Sequence, residues 1–515
     1  MDWTSGYIAE IDYTHGYYRE LAPGLIDFAL LIAGFEPPNR AGLSYLELGY
    51  GQGLSANIHA AATPGEFWGA DFNPAHAANA RSLARVAGAP ALFSDDSFAE
   101  MAARPDLPEF DYIALHGVWS WISDENRRHV VEIIRRRLKV GGAVYMSYNT
   151  LPGWAVAMPL RHIMTLHAET AGSDLQGVLG RIEASIGFGA KLADMGARYF
   201  AANPTARERL DAMAGQNRHY LAHEYFNRDW TPMYFSDVHD WLSSAKLGYA
   251  CAANTLEQID GFNLTPPQRE IVAQIPYTVL RETVRDYLLN AQFRRDLYMR
   301  GGRRLSALER LERLRESRIC LTRAEPEADF VVEAALGKVS LKKEIYAPIL
   351  EALAGADGTP KAIGALVDNP KLASLPPGAL LESLAVLVGA GFAHPAQSDE
   401  EIAAVEPRCR RLNAHLIERS RIGGDVAWLA SPVIGAGVPV GRFEQMFLGA
   451  RAAGDKTPAD WAETAWSTLA KQNQSIIKNG EVLKSAQANL EELRTQAKTL
   501  ADRRLALLRR LKVVA

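Results

Sequence analysis

The chain has 515 residues, 48% of them hydrophobic, with 56 lysines and arginines against 60 aspartates and glutamates and a formal net charge of -4. At about 150 residues per domain this predicts roughly three domains with a sizeable core, and the near-balanced charge excludes a globally basic nucleic-acid binder. Cys251, Cys320 and Cys409 are odd in number and far apart, which excludes a disulfide framework, and no CxxC spacing points to structural zinc.

The N-terminal "MDWTSGYIAEIDYTHGYYRE" lacks the basic start and continuous apolar run of a signal peptide. "GLIDFALLIAGF" carries Asp27 and is too short to span a bilayer. A soluble, cytoplasmic chain without membrane insertion is expected. Residues 1–40 are read as an aromatic cap segment and 41–160 as a nucleotide-binding domain.

Within that domain "LSYLELG" reads as a strand and "LSANIHAAA" as a helix. "EFWGADF" is a second strand, and "PAHAANARSLARVAG" a helix stopped by Gly88. "APALFSD" and "FDYIALHG" are strands separated by the short helix "SFAEMAA". "SDENRRHVVEIIRRRLK" is a helix capped by Ser123 and stopped by "KVGG", and "AVYMSYN" is a fifth strand. Strands alternating with helices predict a Rossmann-like, doubly wound α/β sheet.

Residues 161–325 read as mostly helical, with long periodic stretches such as "PYTVLRETVRDYLLNAQFRRDLYM". Residues 330–400 form a small winged-helix-like unit of three short helices, and residues 401–515 a C-terminal region ending in a heptad helix. Leu493, Leu500, Leu507 and Val514 recur every seven residues, with Leu483, Leu490 and Ala497 as a second row. This seam either pairs with a second copy in a homodimer or lies back on its own body. Asn479-Gly480 is expected to break the chain ahead of it.

The central motif is "YLELGYGQGLSANIHA". Gly49, Gly51 and Gly53 let the backbone turn sharply and approach a ligand, and the following helix aims its amides at that ligand. A dinucleotide fingerprint needs a third glycine where Leu54 stands. With Glu47 two residues before the first glycine, the pattern fits the cationic S-adenosylmethionine better than NAD. Asp71 ends the second strand and can accept from ribose hydroxyls, or alternatively cap the next helix. Asp95 or Asp96 can accept from an adenine amino group, with Phe72 or Phe98 packed on the ring, while Asp95, Asp96 and Ser97 are alternative helix caps. "HGVWSW" places His116, Gly117 and Trp119 at the fourth strand end, where ligands lie in open α/β sheets.

The stretches "HGVWSW", "SYNTLPGW", "AHEYFN" and "FRRDLYMRG" resemble the class I S-adenosylmethionine-dependent methyltransferases with a methyltransferase regulatory domain, a group similar to the rickettsial protein-lysine methyltransferases. The resemblance covers most of residues 1 to about 305, with the regulatory segment at about 217–305. It implies S-adenosylmethionine as methyl donor and a protein, foremost its lysine, as acceptor.

Methyl transfer is a displacement at a sulfonium, so the protein mainly aligns the reactants and excludes water. A lysine acceptor must first lose a proton, which aromatic burial and a positioned base favour. Tyr13, His15 and Tyr17 of the N-terminal segment, with His116 and Trp119, are the candidate catalytic and site-lining residues. The alternatives are that Tyr17 and Tyr18 anchor the core and that His116 is a strand-capping contact. Asn149-Thr150-Leu151-Pro152 is not an NPPY box, which argues against an adenine-N6 DNA enzyme and for no nucleic-acid partner. His223 and Glu224 either shape the acceptor pocket or belong to an inter-domain packing knot. His219 and His223 lack a third ligand, so no metal is expected. Two other readings stay open: methylation of a small molecule or cell-envelope precursor, and a non-catalytic regulator that binds S-adenosylmethionine.

Overall fold

The computed structural model describes residues 15–171, 177–213, 215–216, 221, 225–323, 330–355 and 358–515. The chain opens with α1 (Pro23–Ile32), β1 (Ser44–Leu48), α2 (Leu54–Ala62), β2 (Glu66–Ala70), α3 (Pro74–Ala87) and β3 (Ala91–Ser94). It continues through α4 (Phe98–Ala103), β4 (Phe110–Leu115), α5 (Asp124–Arg137) and β5 (Leu138–Asn149). Much later come β6 (Leu247–Ala252) and β7 (Phe293–Arg300). These form one seven-stranded sheet in the order β3-β2-β1-β4-β5-β7-β6.

Strands β1 to β5 run parallel, and β7 pairs antiparallel with both β5 and β6. Helices cover both faces, so central strands such as β1 and β4 are buried throughout. One face packs Tyr45, Tyr112 and Tyr145 under Ile26 and Leu30 of α1. The other packs Leu46, Ile113 and Val144 under Val130 and Ile134 of α5. Strand order reverses between β1 and β4, which opens a ligand crevice at their carboxyl ends.

The caps follow the sequence. Ser123 Oγ accepts from the Asn126 amide at the start of α5, and Gly88 closes α3 at φ 61°. The middle region is mostly helical as read, and departs from that reading at β6 and β7. "PYTVLRETVRDYLLNAQFRRDLYM" is helical only over Thr278–Leu289, where Asn290 takes φ 46° and ends the helix. The remainder becomes β7, whose Leu297 and Met299 face one side of the sheet and Tyr298 the other.

The C-terminal body carries helices Lys343–Ala354, Ile363–Val367 and Pro377–Gly389 beside a three-stranded sheet whose central strand is Arg318–Leu321. The helix Asp399–Arg419 lies along α2 and α3, and Arg411 donates twice to the Ala87 carbonyl. Asn479 and Gly480, at φ 52° and 83°, turn a short hairpin before the last helices. The heptad rows fold back on the chain: Leu493, Ala497, Leu500 and Leu507 are all buried in its core. A π-helical turn at Leu500–Arg504 interrupts the regular helix. Among the described residues no helix is long and apolar enough to cross a membrane.

Candidate functional site

Gly49, Gly51 and Gly53 adopt φ 73°, 57° and 75°, a region that L-residues with side chains rarely occupy. Space adds a second constraint at two of them. A Cβ on Gly49 would lie 2.4 Å from Val118 Cγ2, and one on Gly53 would lie 2.6 Å from Ala80 Cβ. The loop is pinned by the Gly49 amide donating to the Ala70 carbonyl at 2.7 Å and the Gly51 amide donating to Asp71 Oδ2 at 2.8 Å. Gly53 then starts α2 with no side-chain cap, leaving the first-turn amides directed at the crevice.

Two acids face this loop. Asp71 is 7% exposed, and its Oδ1 accepts from the Asn73 amide and lies 3.0 Å from His76 Nδ1. The helix cap considered for Asp71 belongs instead to Asn73, whose side chain accepts from the Ala75 amide. Glu47 is 3% exposed, and its Oε2 has no hydrogen-bond partner among the described residues. Burial, and then the neighbouring Asp71 charge, push the Glu47 carboxyl up to about 8. An orphaned acid beside a glycine cradle suits a ligand that brings positive charge and hydroxyl groups to the loop.

The third strand end is less committed to a ligand. Asp95 pairs with Arg81 at 2.7 Å and Asp96 with Arg104 at 2.9 Å. Ser97 caps α4 in a reciprocal box with Glu100. Phe98 packs against the core beneath the sheet, and Phe72 is half-buried just beyond Asp71. At the fourth strand end Gly117 is exposed at φ 64°, with open space around its Cα, and its amide donates to Ser147 Oγ at 2.8 Å.

His116 is the nearest candidate for chemistry. Its Nδ1 lies 2.9 Å from the Tyr145 hydroxyl, and the Tyr18 ring stacks on it at 3.7 Å between centroids. Burial, with Arg295 nearby, lowers its pKa to about 3, so the imidazole is neutral at physiological pH. Phe293, from the start of β7, lies edge-on to the same ring at 6.1 Å. Arg295, two residues on and on the same face of β7, bridges Glu20 at 3.1 Å and Glu257.

Several expected residues are elsewhere. Trp119 is fully buried against Trp241 under the α5 face, so it belongs to the core and does not face the crevice. Tyr17 is turned into the C-terminal body: its hydroxyl accepts from the Gly437 amide at 2.6 Å and lies 3.1 Å from His59 Nε2. His15 is held there too, with Arg419 donating to Nε2 at 3.0 Å, which leaves the proton on Nδ1, 3.4 Å from Asp425. Tyr13, His219, His223 and Glu224 lie outside the described residues. The residues beside His116 that sequence reading missed are Tyr18, Tyr145, Phe293 and Arg295. The available signals were the second tyrosine of "GYYRE" and the "FRRDLYMRG" stretch.

Comparison with known proteins agrees with this layout. A family described as a methyltransferase domain matches residues 46–142, the glycine loop through β5. A family described as a predicted methyltransferase regulatory domain matches residues 217–300, the segment that supplies β6 and β7. An uncharacterised protein of Synechocystis sp. is 37% identical over 99% of both chains. One of Rickettsia prowazekii is 25% identical over 56% of this chain and 51% of its own. PKMT2 from Rickettsia typhi shares the fold at 17% identity, with a TM-score of 0.70 over 98% of this chain and 99% of its own. Its complex with AdoHcy aligns over the same shares with a TM-score of 0.67.

Proposed function

The chain belongs to the class I S-adenosylmethionine-dependent methyltransferases that carry a methyltransferase regulatory domain, and we propose that its acceptor is a protein amine, the lysine side chain. S-adenosylmethionine is the cofactor, and Glu47, Gly49, Gly51, Gly53 and Asp71 are the residues fitted to hold it. When bound, it supplies a methyl group on a sulfonium, an electrophile with its leaving group built in. The residues of the chain bind, orient and desolvate.

The observation that carries the amine reading is the His116 surface. A neutral imidazole flanked by Tyr18, Tyr145 and Phe293 presents aromatic and dipolar surface with no positive charge on the ring. Such surface accepts an ammonium through its π faces, and a docked acceptor that covers it favours the uncharged amine needed for attack. His116, held neutral, does not repel the incoming ammonium. The Glu20–Arg295–Glu257 chain stands beside it and ties the N-terminal segment to β7 and the loop after β6. The name PKMT2 for the structural relative supports the same acceptor class. We place this activity in the cytoplasm, because Cys251, Cys320 and Cys409 are buried free thiols.

The test is incubation of the full-length protein with methyl-tritiated S-adenosylmethionine and lysate of the source organism. Label in a protein band is the expected result. Label confined to the low-mass fraction would assign a small-molecule acceptor, and absence of S-adenosylhomocysteine would remove the enzymatic reading.

A further inference from the structure

Next to the donor crevice, along the top of β6 and β7, lies a second cavity of about 580 Å³. Glu257, Glu282, Asp286, Phe293, Arg294 and Asp296 are among its lining residues. Phe293 links the two sites, because the same residue lies edge-on to the His116 ring at 6.1 Å. The volume falls within the range of small-ligand pockets, roughly 300–1,000 Å³.

Six acids and five arginines line this cavity, an excess of one negative charge. Arg294, itself buried, donates to Asp286 Oδ1 at 2.6 Å, to Asp296 Oδ2 at 2.8 Å and to Glu282 Oε2 at 3.1 Å. Glu282 also faces Arg281 and Arg285 at 3.8 Å each, and the Tyr249 hydroxyl donates to it at 3.3 Å. Asp296 receives the Tyr148 hydroxyl at 2.7 Å. That leaves Asp286 and Asp296, 2% and 1% exposed, sharing one guanidinium. Two buried carboxylates against one cation are costly unless a proton or a second cation joins them. The deficit localises on Asp286: its Oδ2 is buried with no hydrogen-bond partner among the described residues.

We propose that this cavity is a binding site for an organic cation, an alkylammonium or guanidinium group, received by Asp286. Burial raises the Asp286 carboxyl to about 7, against the lowering effect of Arg294, as expected for an acid waiting for either a proton or a cation. Phe293 and Tyr249 on the same wall add aromatic faces, which suit an organic cation. A basic side chain of a protein acceptor meets this description, placed one aromatic ring away from the target amine. Its assignment to the acceptor rests on the protein-methyltransferase reading; the cation site itself does not.

The experiment uses full-length protein saturated with S-adenosylhomocysteine, so that the donor crevice is filled, and titrates n-butylammonium chloride by ligand-observed NMR. n-Butanol and sodium chloride are the neutral and ionic controls. Saturable binding of n-butylammonium, weakened about tenfold or more in Asp286→Asn, is the expected result. Glu282→Gln, whose carboxylate already has arginine neighbours, should weaken it less. Equal binding by folded wild type and Asp286→Asn, or wild-type binding no better than for n-butanol, overturns the site. S-adenosylhomocysteine affinity, measured separately by calorimetry, should stay within about twofold in Asp286→Asn. Loss of that affinity in the wild type would instead count against the donor assignment. With a labelled protein acceptor in hand, Asp286→Asn should raise its KM while the donor KM holds.

Discussion

The donor edge of the sheet and its β6–β7 edge are built in opposite ways. The proposed donor cradle is local: Glu47, three glycines and Asp71 fall within 25 consecutive residues, and the loop is pinned within that span by Gly49 to Ala70 and Gly51 to Asp71. The β6–β7 edge is assembled from afar. Tyr18 and Glu20 come from the N-terminus, Glu257 from the loop after β6, and Phe293 and Arg295 from a strand that enters the sheet antiparallel beside β5. A transferable cofactor is met by a compact, reusable loop. Under the proposed function the acceptor meets residues that only tertiary structure brings together.

Four substitutions break or sharpen this contrast. The largest effect is expected at the cradle. Gly51→Val forces a β-branched residue to φ 57° and disturbs the amide that holds Asp71, adding about 1–3 kcal/mol of strain before any ligand contact is lost. S-adenosylmethionine affinity should fall about 100-fold or more by calorimetry, with the circular dichroism spectrum preserved; unchanged affinity would overturn the donor site.

Glu47→Gln should change a pH profile. In the free protein Glu47 is protonated below about 8, whereas a cationic ligand favours its carboxylate, so binding expels a proton. Wild-type affinity should therefore rise with pH up to about 8 and level off above it. The Gln variant should lack that rise, and the difference between the two profiles removes any titration of the ligand itself. Parallel profiles would show that Glu47 does not meet the ligand's charge.

At the other edge, Tyr18→Ala removes the ring stacked on His116, worth about 1 kcal/mol in aromatic contact alone. Acceptor KM should rise about tenfold while the donor dissociation constant moves less than about twofold. An equal loss in both would erase the division between the edges. Tyr17→Phe should have the smallest effect on function. It strands the Gly437 amide and costs about 1–2 kcal/mol of stability in denaturant unfolding, with donor and acceptor constants unchanged. A fall in turnover without a fall in stability would return Tyr17 to the active site.

These two tyrosines also show how far sequence reading reaches. Tyr17 and Tyr18 are adjacent in an extended segment, so they point to opposite sides, and nothing local says which side meets the crevice. Tyr17 was expected in the site, yet Tyr18 is the one stacked on His116. The glycine turn, Asp71 and the first five strands were legible because pattern, turn chemistry and caps lie close together along the chain. "FRRDLYMRG" was not, because it follows a strongly helical stretch and only the left-handed Asn290 separates helix from strand. Trp119 looked like a site residue from its place at a strand end, but its indole fills the core under α5. The heptad rows were legible as a buried seam, though not which surface would cover them.

The most direct test of the account is the chemistry of the transferred methyl group. A tritium-labelled acceptor protein, hydrolysed in acid and separated by amino-acid analysis, should yield its counts as N-methylated lysine, stable to prior base treatment. Counts released as methanol by base, or recovered in any other residue, would contradict a lysine acceptor beside His116.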